Sequence, residues 1–206
     1  LHTAAARVGG LELGLVPGKG GLDVQGMLQP GALDVLFLIG ADEVDAKGLD
    51  GTFIVYLGTH GDRGVHAADV ILPGAAYTEK HATWVNTEGR PQRAKLAVFP
   101  PGEAKEDWKI LRALSAALER VVPLDSLGDV RRRMAEIAPA LGRIDEITPA
   151  PFASFGEAGP IGAEPFASPV TDFYLTNPIA RASGVMQECS ALFVQGGKAG
   201  ATGTHG

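Results

Sequence analysis

The sequence predicts an α/β fold in which a parallel-sheet layer is followed by helices and an extended tail. Three observations carry that expectation. Short β-rich runs at residues 34–39, 53–57 and 68–72 are apolar and end at glycine or proline. Apolar residues then recur at helical spacing between residues 105 and 137. Beyond Thr148 the chain turns rich in Pro, Ala, Gly and Ser.

Each element follows from its own residues. The chain opens at Leu1 without a methionine, and Leu1–Leu15 reads as the end of a helix already under way, so the sequence reads as a fragment. Residues 16–31 hold many glycines and two prolines with little periodicity, which predicts a loop. Asp34-Val-Leu-Phe-Leu-Ile39 is apolar on both alternations, the pattern of a strand buried on both faces, and Gly40 permits the turn that ends it. Phe53–Leu57 is a second such strand, closed by Gly58, and Ala68–Leu72 a third, closed by Pro73-Gly74. The intervals between these strands are short for full crossover helices. Some connections are therefore expected to be loops, or helices to come from elsewhere. Thr83–Thr87, the turn Glu88-Gly89-Arg90 and Arg93–Phe99 predict short extended segments. Pro100-Pro101-Gly102 breaks the chain before a helix from about Lys105 to Arg120. Glu106 and Asp107 sit in its first turn, where the helix dipole favours acids. Trp108, Leu111, Leu114 or Ser115, and Leu118 form its apolar stripe, with Trp108 as a core anchor. A second helix runs from Ser126 to Ile137 and stops before Pro139. Residues 148–170, with Pro-Phe-Ala-Ser at 151–154 and 165–168, are expected to lie extended. A last short helix spans Ile179 to about Val194, ahead of a glycine-rich end that looks frayed.

Composition removes several classes of function. Asp and Glu outnumber Lys and Arg by 24 to 18, so the chain has no charge suited to a phosphate backbone, and no nucleic-acid partner is expected. The one basic run, Arg131-Arg132-Arg133, reads as the solvated face of a helix. No apolar run approaches the roughly 20 residues that span a bilayer, so no direct membrane insertion is expected. A single cysteine, Cys189, cannot supply the thiolate set of an iron–sulfur cluster or close an internal disulfide. His60 and His66 lack a cysteine partner or a recognised zinc spacing.

Candidates for chemistry are few. Gly18-Lys-Gly-Gly21 lacks the Gly-x4-Gly-Lys-Ser/Thr spacing that lets backbone amides and a lysine converge on a phosphate. Gly58-Thr-His-Gly-Asp-Arg-Gly64 follows a buried strand, where open α/β sheets bind ligands, and groups His, Asp and Arg. Its simpler reading is a glycine-rich turn whose polar side chains bond locally. Glu79, Lys80, His81, Asn86, Glu88 and Arg90 form the densest polar stretch, interleaved with Tyr77 and Trp84. It could line a polar pocket or fix two layers to one another, and the residues alone leave both readings open.

The run from Ala67 to Gln92, Ala-Ala-Asp-Val-Ile-Leu-Pro-Gly-Ala-Ala-Tyr-Thr-Glu-Lys-His-Ala-Thr-Trp-Val-Asn-Thr-Glu-Gly-Arg-Pro-Gln, resembles a segment of the molybdopterin oxidoreductase family. Its wording around Pro73–Lys80 and Val85–Arg90 is similar to the branch of that family found in respiratory complex I. Val35–Asp42, Pro100-Pro-Gly102 with Glu106–Ile110 and Arg112–Leu114, and Asp172–Thr176 with Ile179–Ser183 match the same branch in the same order. The resemblance is weakest across Ala150–Pro169 and in the tail. It implies that residues 1–122 end a molybdopterin oxidoreductase-like α/β domain and that 123–206 form a helical and extended extension. It also implies a structural and interaction segment of the peripheral-arm iron–sulfur subunit that helps carry electrons from NADH to ubiquinone. Iron–sulfur clusters (2Fe-2S, 4Fe-4S) are then expected in a cysteine-rich N-terminal part outside this chain, with no cofactor here. The implied partners are other peripheral-arm subunits, including the flavin-bearing NADH-binding module. The implied place is the matrix side of the mitochondrial inner membrane, or the cytoplasmic face of an α-proteobacterial membrane. Gly40-Ala41-Asp42 departs from the Asn-Pro that molybdenum enzymes often carry after this glycine. No residue of the chain is expected to be catalytic, to bind a cofactor or to ligate a metal. The alternatives are a molybdopterin-binding oxidoreductase domain and a nucleotide-binding module using Gly58–Gly64.

Overall fold

The computed structural model describes residues 7–149, 158–160, 162–165, 167–168 and 170–196. They divide into two compact units, one running to Pro149 and one from Ala150 onward.

In the first unit the three apolar runs form one parallel sheet, as their pattern predicts. Strand β1 (Val35–Ile39), β2 (Phe53–Gly58) and β3 (Val70–Pro73) lie in sequence order with β2 central. Val35 pairs with Phe53 and Ile39 with Leu57, while Val55 pairs with Val70 and Gly58 with Pro73. The β1–β2 connection has no helix among its described residues, and the β2–β3 connection holds only the single turn α3 (Arg63–His66). The short intervals in the sequence are met by loops.

One face of this sheet holds the main core, in which Leu36, Leu38, Ile54 and Tyr56 pack with Ala46 and Leu49. The opposite face departs from the expectation at β1, although Val55 and Leu57 of β2 are buried on it as expected. Val35, Phe37 and Ile39 alternate with the buried Leu36 and Leu38 and are exposed, so β1 is covered on one side only. Phe53 and Val70, in register beside them, are exposed too.

A second sheet is the antiparallel pair β4 (Ala82–Val85) and β5 (Pro91–Ala94). Asn86 closes its turn, its side-chain oxygen accepting from the backbone N–H groups of Glu88 and Arg90, each at 3.0 Å. This is the Asx geometry that makes Asn a turn residue. Val85 joins a smaller core with Ala138 and Leu141, against which Val8 and Leu13 pack from around α1 (Arg7–Glu12).

The stretch expected as pure loop, residues 16–31, contains one helical turn, α2 (Val24–Met27), because Asp23 caps it by accepting from Gly26 N–H at 2.8 Å. Helix α4 (Asp107–Ala117) lies inside the expected span. Its apolar stripe is less covered than its spacing suggests. Leu111 and Leu118 are exposed, and the buried position is Ser115, which donates to the Arg112 carbonyl and accepts from Val122 N–H. Helix α5 (Leu127–Ile137) begins at a full capping box, Ser126 with Asp129, and stops two residues before Pro139.

In the second unit the expected single helix is two, α6 (Pro178–Ala182) and α7 (Gly184–Phe193), divided at Ser183, whose hydroxyl caps α7. Asp172 accepts from the Ser190 hydroxyl at 2.6 Å and from Tyr174 N–H at 2.9 Å, and Ser190 is fully buried. Tyr174 meets Phe173 edge to face, ring centres 5.7 Å apart, and lies tilted against Phe193 at 6.0 Å. The first Pro-Phe-Ala-Ser copy and the glycine-rich end lie outside the described residues.

Candidate functional site

Ligands of open parallel sheets bind at the carboxyl ends of the strands, and there the loop Gly58–Gly64 meets Gly40-Ala41-Asp42. Tyr56, on β2, is 2% exposed and Asp42 is 1% exposed. The Tyr56 hydroxyl lies 2.8 Å from both Asp42 Oδ2 and the His60 carbonyl oxygen, which share its one proton. Asp42 Oδ1 accepts from Gly64 N–H at 3.2 Å. A Cβ on Gly58 would collide with the Tyr56 ring and hydroxyl. One on Gly64 would stand 3.0 Å from Tyr56 Cδ2 and 3.1 Å from Asp42 Oδ1. The glycines of this loop thus admit a buried tyrosine. Its remaining polar groups bond locally, Thr59 Oγ1 to His60 Nδ1 at 2.9 Å and Asp62 to Arg63 N–H at 2.9 Å. The simpler of the two sequence readings describes this loop.

A crevice of about 290 Å³ opens beside it, lined by Gly58, Thr59, His60, Gly74, Glu79 and Glu103 among others. Its lining has two carboxylates and no lysine or arginine. A molybdopterin carries phosphate, and carboxylates without a cation repel that charge. These residues do not fit the pterin, and one cysteine in the whole sequence does not fit an iron–sulfur cluster. Among the described residues no group of three or more His, Cys, Asp or Glu could hold a metal ion.

The polar stretch after Tyr77 is largely consumed in joining layers. Glu79 Oε2 accepts from Ala76 N–H at 2.9 Å. Lys80 reaches across to Asp107 at the start of α4, Nζ to Oδ2 at 2.7 Å. His81 donates its backbone N–H to Glu106 Oε1 at 2.9 Å. Asn86 and Glu88 shape the β4–β5 turn, and Arg90 Nη1 donates to the Asp145 carbonyl at 2.5 Å.

Glu106 is the centre of this network. It is 6% exposed and takes hydrogen bonds from His81 N–H, from Trp108 Nε1 at 3.1 Å and from Lys109 Nζ at 2.8 Å. Burial alone would raise its pKa. The bonds from Lys109 and His81, the Lys109 charge and the Trp108 indole outweigh burial and hold it below the ordinary 4.5. Lys109 also stands 5.5 Å from the Trp108 ring centre. A carboxylate held ionised by donors on every side is suited to fastening the sheet connection to α4. It is poorly suited to accepting a proton near neutral pH.

Three features escaped the reading of residues. Glu106 was visible only as a first-turn acid, because its partners lie 25 residues upstream at His81 and nearby at Trp108. The Asp42–Tyr56 pair gave no signal, being 14 residues apart. Arg131 did have one. Leu127, Val130, Arg131 and Met134 share one helical face, and that face turns from solvent. Arg132 and Arg133 are exposed and pair with Asp129 and Glu136 on their own helix, as a solvated face should, but Arg131 is half-buried.

The class the fold defines is an α/β domain built on a short parallel sheet, with polar bonds fastening the β3–β4 connection to α4. The first 117 residues match the family model described as molybdopterin oxidoreductase, and the chain belongs to that family. Residues 146–189 match a second model, which describes the C-terminal region of an NADH-ubiquinone oxidoreductase subunit. The chain is 42% identical over 203 residues to the NADH-ubiquinone oxidoreductase 75 kDa subunit of Reclinomonas americana, covering 94% of this chain and 28% of that protein. It is 42% identical over 205 residues to the mitochondrial NADH-ubiquinone oxidoreductase 78 kDa subunit of Candida albicans, covering 94% and 27%. It is 43% identical over 192 residues to the mitochondrial NADH dehydrogenase [ubiquinone] iron-sulfur protein 1 of Solanum tuberosum, covering 91% and 25%. The chain thus spans about a quarter of the length of these curated relatives.

Proposed function

We propose that this chain is a structural and interaction segment of the core iron–sulfur subunit in the peripheral arm of complex I. That complex passes electrons from NADH to ubiquinone, and in this reading the clusters that carry them are held by cysteines outside this chain. No residue here is catalytic, binds a cofactor or ligates a metal. The observation that carries the reading is the fate of the polar stretch Glu79–Arg90. It is the most family-specific run of the sequence, and it bonds to nearby backbone through Glu79, to Glu106 through the His81 N–H and to Asp107 through Lys80.

Residues 1–122 form the end of the molybdopterin oxidoreductase-like domain and 123–206 an extension, a division supported by the first family match ending at residue 117. Surface chemistry supports contact with neighbouring subunits of the peripheral arm, among them the flavin-bearing module. Phe173, Phe193 and Val185 are 75%, 71% and 68% exposed, more apolar surface than one small helical unit leaves open without a partner. No described helix is long and apolar enough to cross a membrane. In this reading the chain lies on the matrix face of the mitochondrial inner membrane and is held there by other subunits.

The test is native gel electrophoresis of solubilised membranes, with an in-gel NADH dehydrogenase stain and mass spectrometry of the stained band. Peptides of this chain are expected in the band, together with cysteine-rich peptides of the same subunit. Recovery of the chain only in fractions without that activity overturns the proposal. So does molybdenum or tungsten bound stoichiometrically to the purified protein.

A further inference from the structure

Between β4, the start of α4 and α5 lies a groove of about 290 Å³. Its walls are mainly apolar: Trp84 and Trp108 on one side, Leu127, Val130 and Met134 on the other, with Arg131 among them. Trp84 is 39% exposed, a large aromatic surface left open beside a second one. Paired aromatics around a concave surface are the usual anchors of a protein interface.

Arg131 sets the chemistry of what fits. It makes no ion pair or hydrogen bond among the described residues, and its Nε is closed off from solvent without a partner. A guanidinium nitrogen kept from water and unpaired is costly, and a planar carboxylate is its best complement. The carboxylates in the same walls are already engaged, Glu106 by Lys109, His81 and Trp108, and Asp107 by Lys80. A carboxylate on whatever occupies the groove would supply the complementary charge. The chain's net charge of −6 does not oppose this, because exposed charges farther away than a Debye length of roughly 8 Å are largely screened by salt.

We propose that this groove receives a segment of a neighbouring subunit that places an Asp or Glu on Arg131 and an apolar side chain between Trp84 and Met134. The proposal rests on reading the chain as part of a multisubunit assembly, and it specifies the docking surface on this face.

The test uses the full subunit in the assembled complex, with p-benzoylphenylalanine in place of Val130, photolysis, and mass spectrometry of the cross-linked peptides. A peptide from another subunit is expected, with an Asp or Glu within a few residues of the linked position. Arg131→Glu should cut the cross-link yield about tenfold or more, the effect of reversing one charge of a desolvated pair, while Arg131→Lys retains most of it. If Arg131→Glu prevents assembly, Arg131→Gln supplies the comparison and should also lower the yield. Cross-links only to this same polypeptide, to no protein, or to a peptide without a carboxylate overturn the docking surface and leave the assembly reading intact. A yield unchanged by Arg131→Glu, or by Arg131→Gln where that stands in, does the same. Recovery of the subunit outside any NADH-oxidising complex overturns both.

Discussion

Glu106→Ala removes a buried carboxylate that helps tie the start of α4 to the β3–β4 connection. The wild-type carboxylate receives two well-formed, part-buried bonds, from His81 N–H at 2.9 Å and Trp108 Nε1 at 3.1 Å. Bonds to a charged acceptor contribute roughly 1.5–3 kcal/mol each. The third, from Lys109, has a donor side chain 52% exposed and adds at most about 0.5 kcal/mol. Removing the carboxylate also relieves its desolvation, so the net loss falls to roughly 2–4 kcal/mol. Urea unfolding followed by tryptophan fluorescence suits this change, since the chain's two tryptophans are Trp84 and Trp108, both close to the network. A loss under about 0.5 kcal/mol, within the range of an ordinary surface substitution, refutes the central role given to Glu106.

The same carboxylate makes a pH prediction with a definite sign. Its folded-state pKa lies below the ordinary 4.5. Its stabilisation is therefore complete above about pH 4.5 and lost as the pH falls through the folded value. Glu106→Gln should flatten that acid-side slope, so that wild type and variant converge in stability below it. Parallel slopes would mean that other carboxylates govern the acid limb.

The remaining predictions concern single contacts. Tyr56→Phe leaves Asp42 without its hydroxyl donor and should cost about 1–3 kcal/mol in urea unfolding. Gly58→Ala places a Cβ against the Tyr56 hydroxyl, and the thermal midpoint should fall by more than it does in Tyr56→Phe, because the ring itself must shift. Ser126→Ala breaks the capping box of α5 and should lower stability by about 1 kcal/mol, with a loss of helical circular dichroism. Glu79→Ala frees one backbone N–H beside the crevice and should lower assembly or stability while leaving electron transfer in assembled complexes unchanged.

How much of this was legible depends on the range of the interaction concerned. The three strands of the parallel sheet were readable because apolar runs and terminal glycines are local signals, and all three fall within two residues of their expected positions. Helix α5 was readable from Ser126 to Ile137, and the structure starts it one residue later, behind the capping box of Ser126 and Asp129. The division of the last helix at Ser183 was not, although Asn177 and Ser183 are both good capping residues, because the apolar pattern runs across the break. Trp108, a core anchor by its spacing, is instead half-buried and held by its indole nitrogen to Glu106. Propensity and spacing do not carry such a partner choice.

The open face of β1 is where pattern and burial disagree most instructively. A strand with one face in water usually alternates apolar with polar residues, yet the outward positions here are Val35, Phe37 and Ile39, each more than 40% exposed. Phe53 continues the surface at 48%. Parallel sheets are covered on both faces almost without exception, so this side chain set is composed for a cover. The curated relatives hold about three-quarters of their length outside the matched region, ample chain to supply one. Phe37→Ser separates the two environments. With the face open, the substitution removes a side chain still 43% exposed and should cost no more than about 1–2 kcal/mol. With the face covered, it removes a fully buried aromatic and should cost about 3–5 kcal/mol. Urea unfolding of the chain by itself and of the full-length subunit measures both, and equal losses in the two would mean that the face stays open.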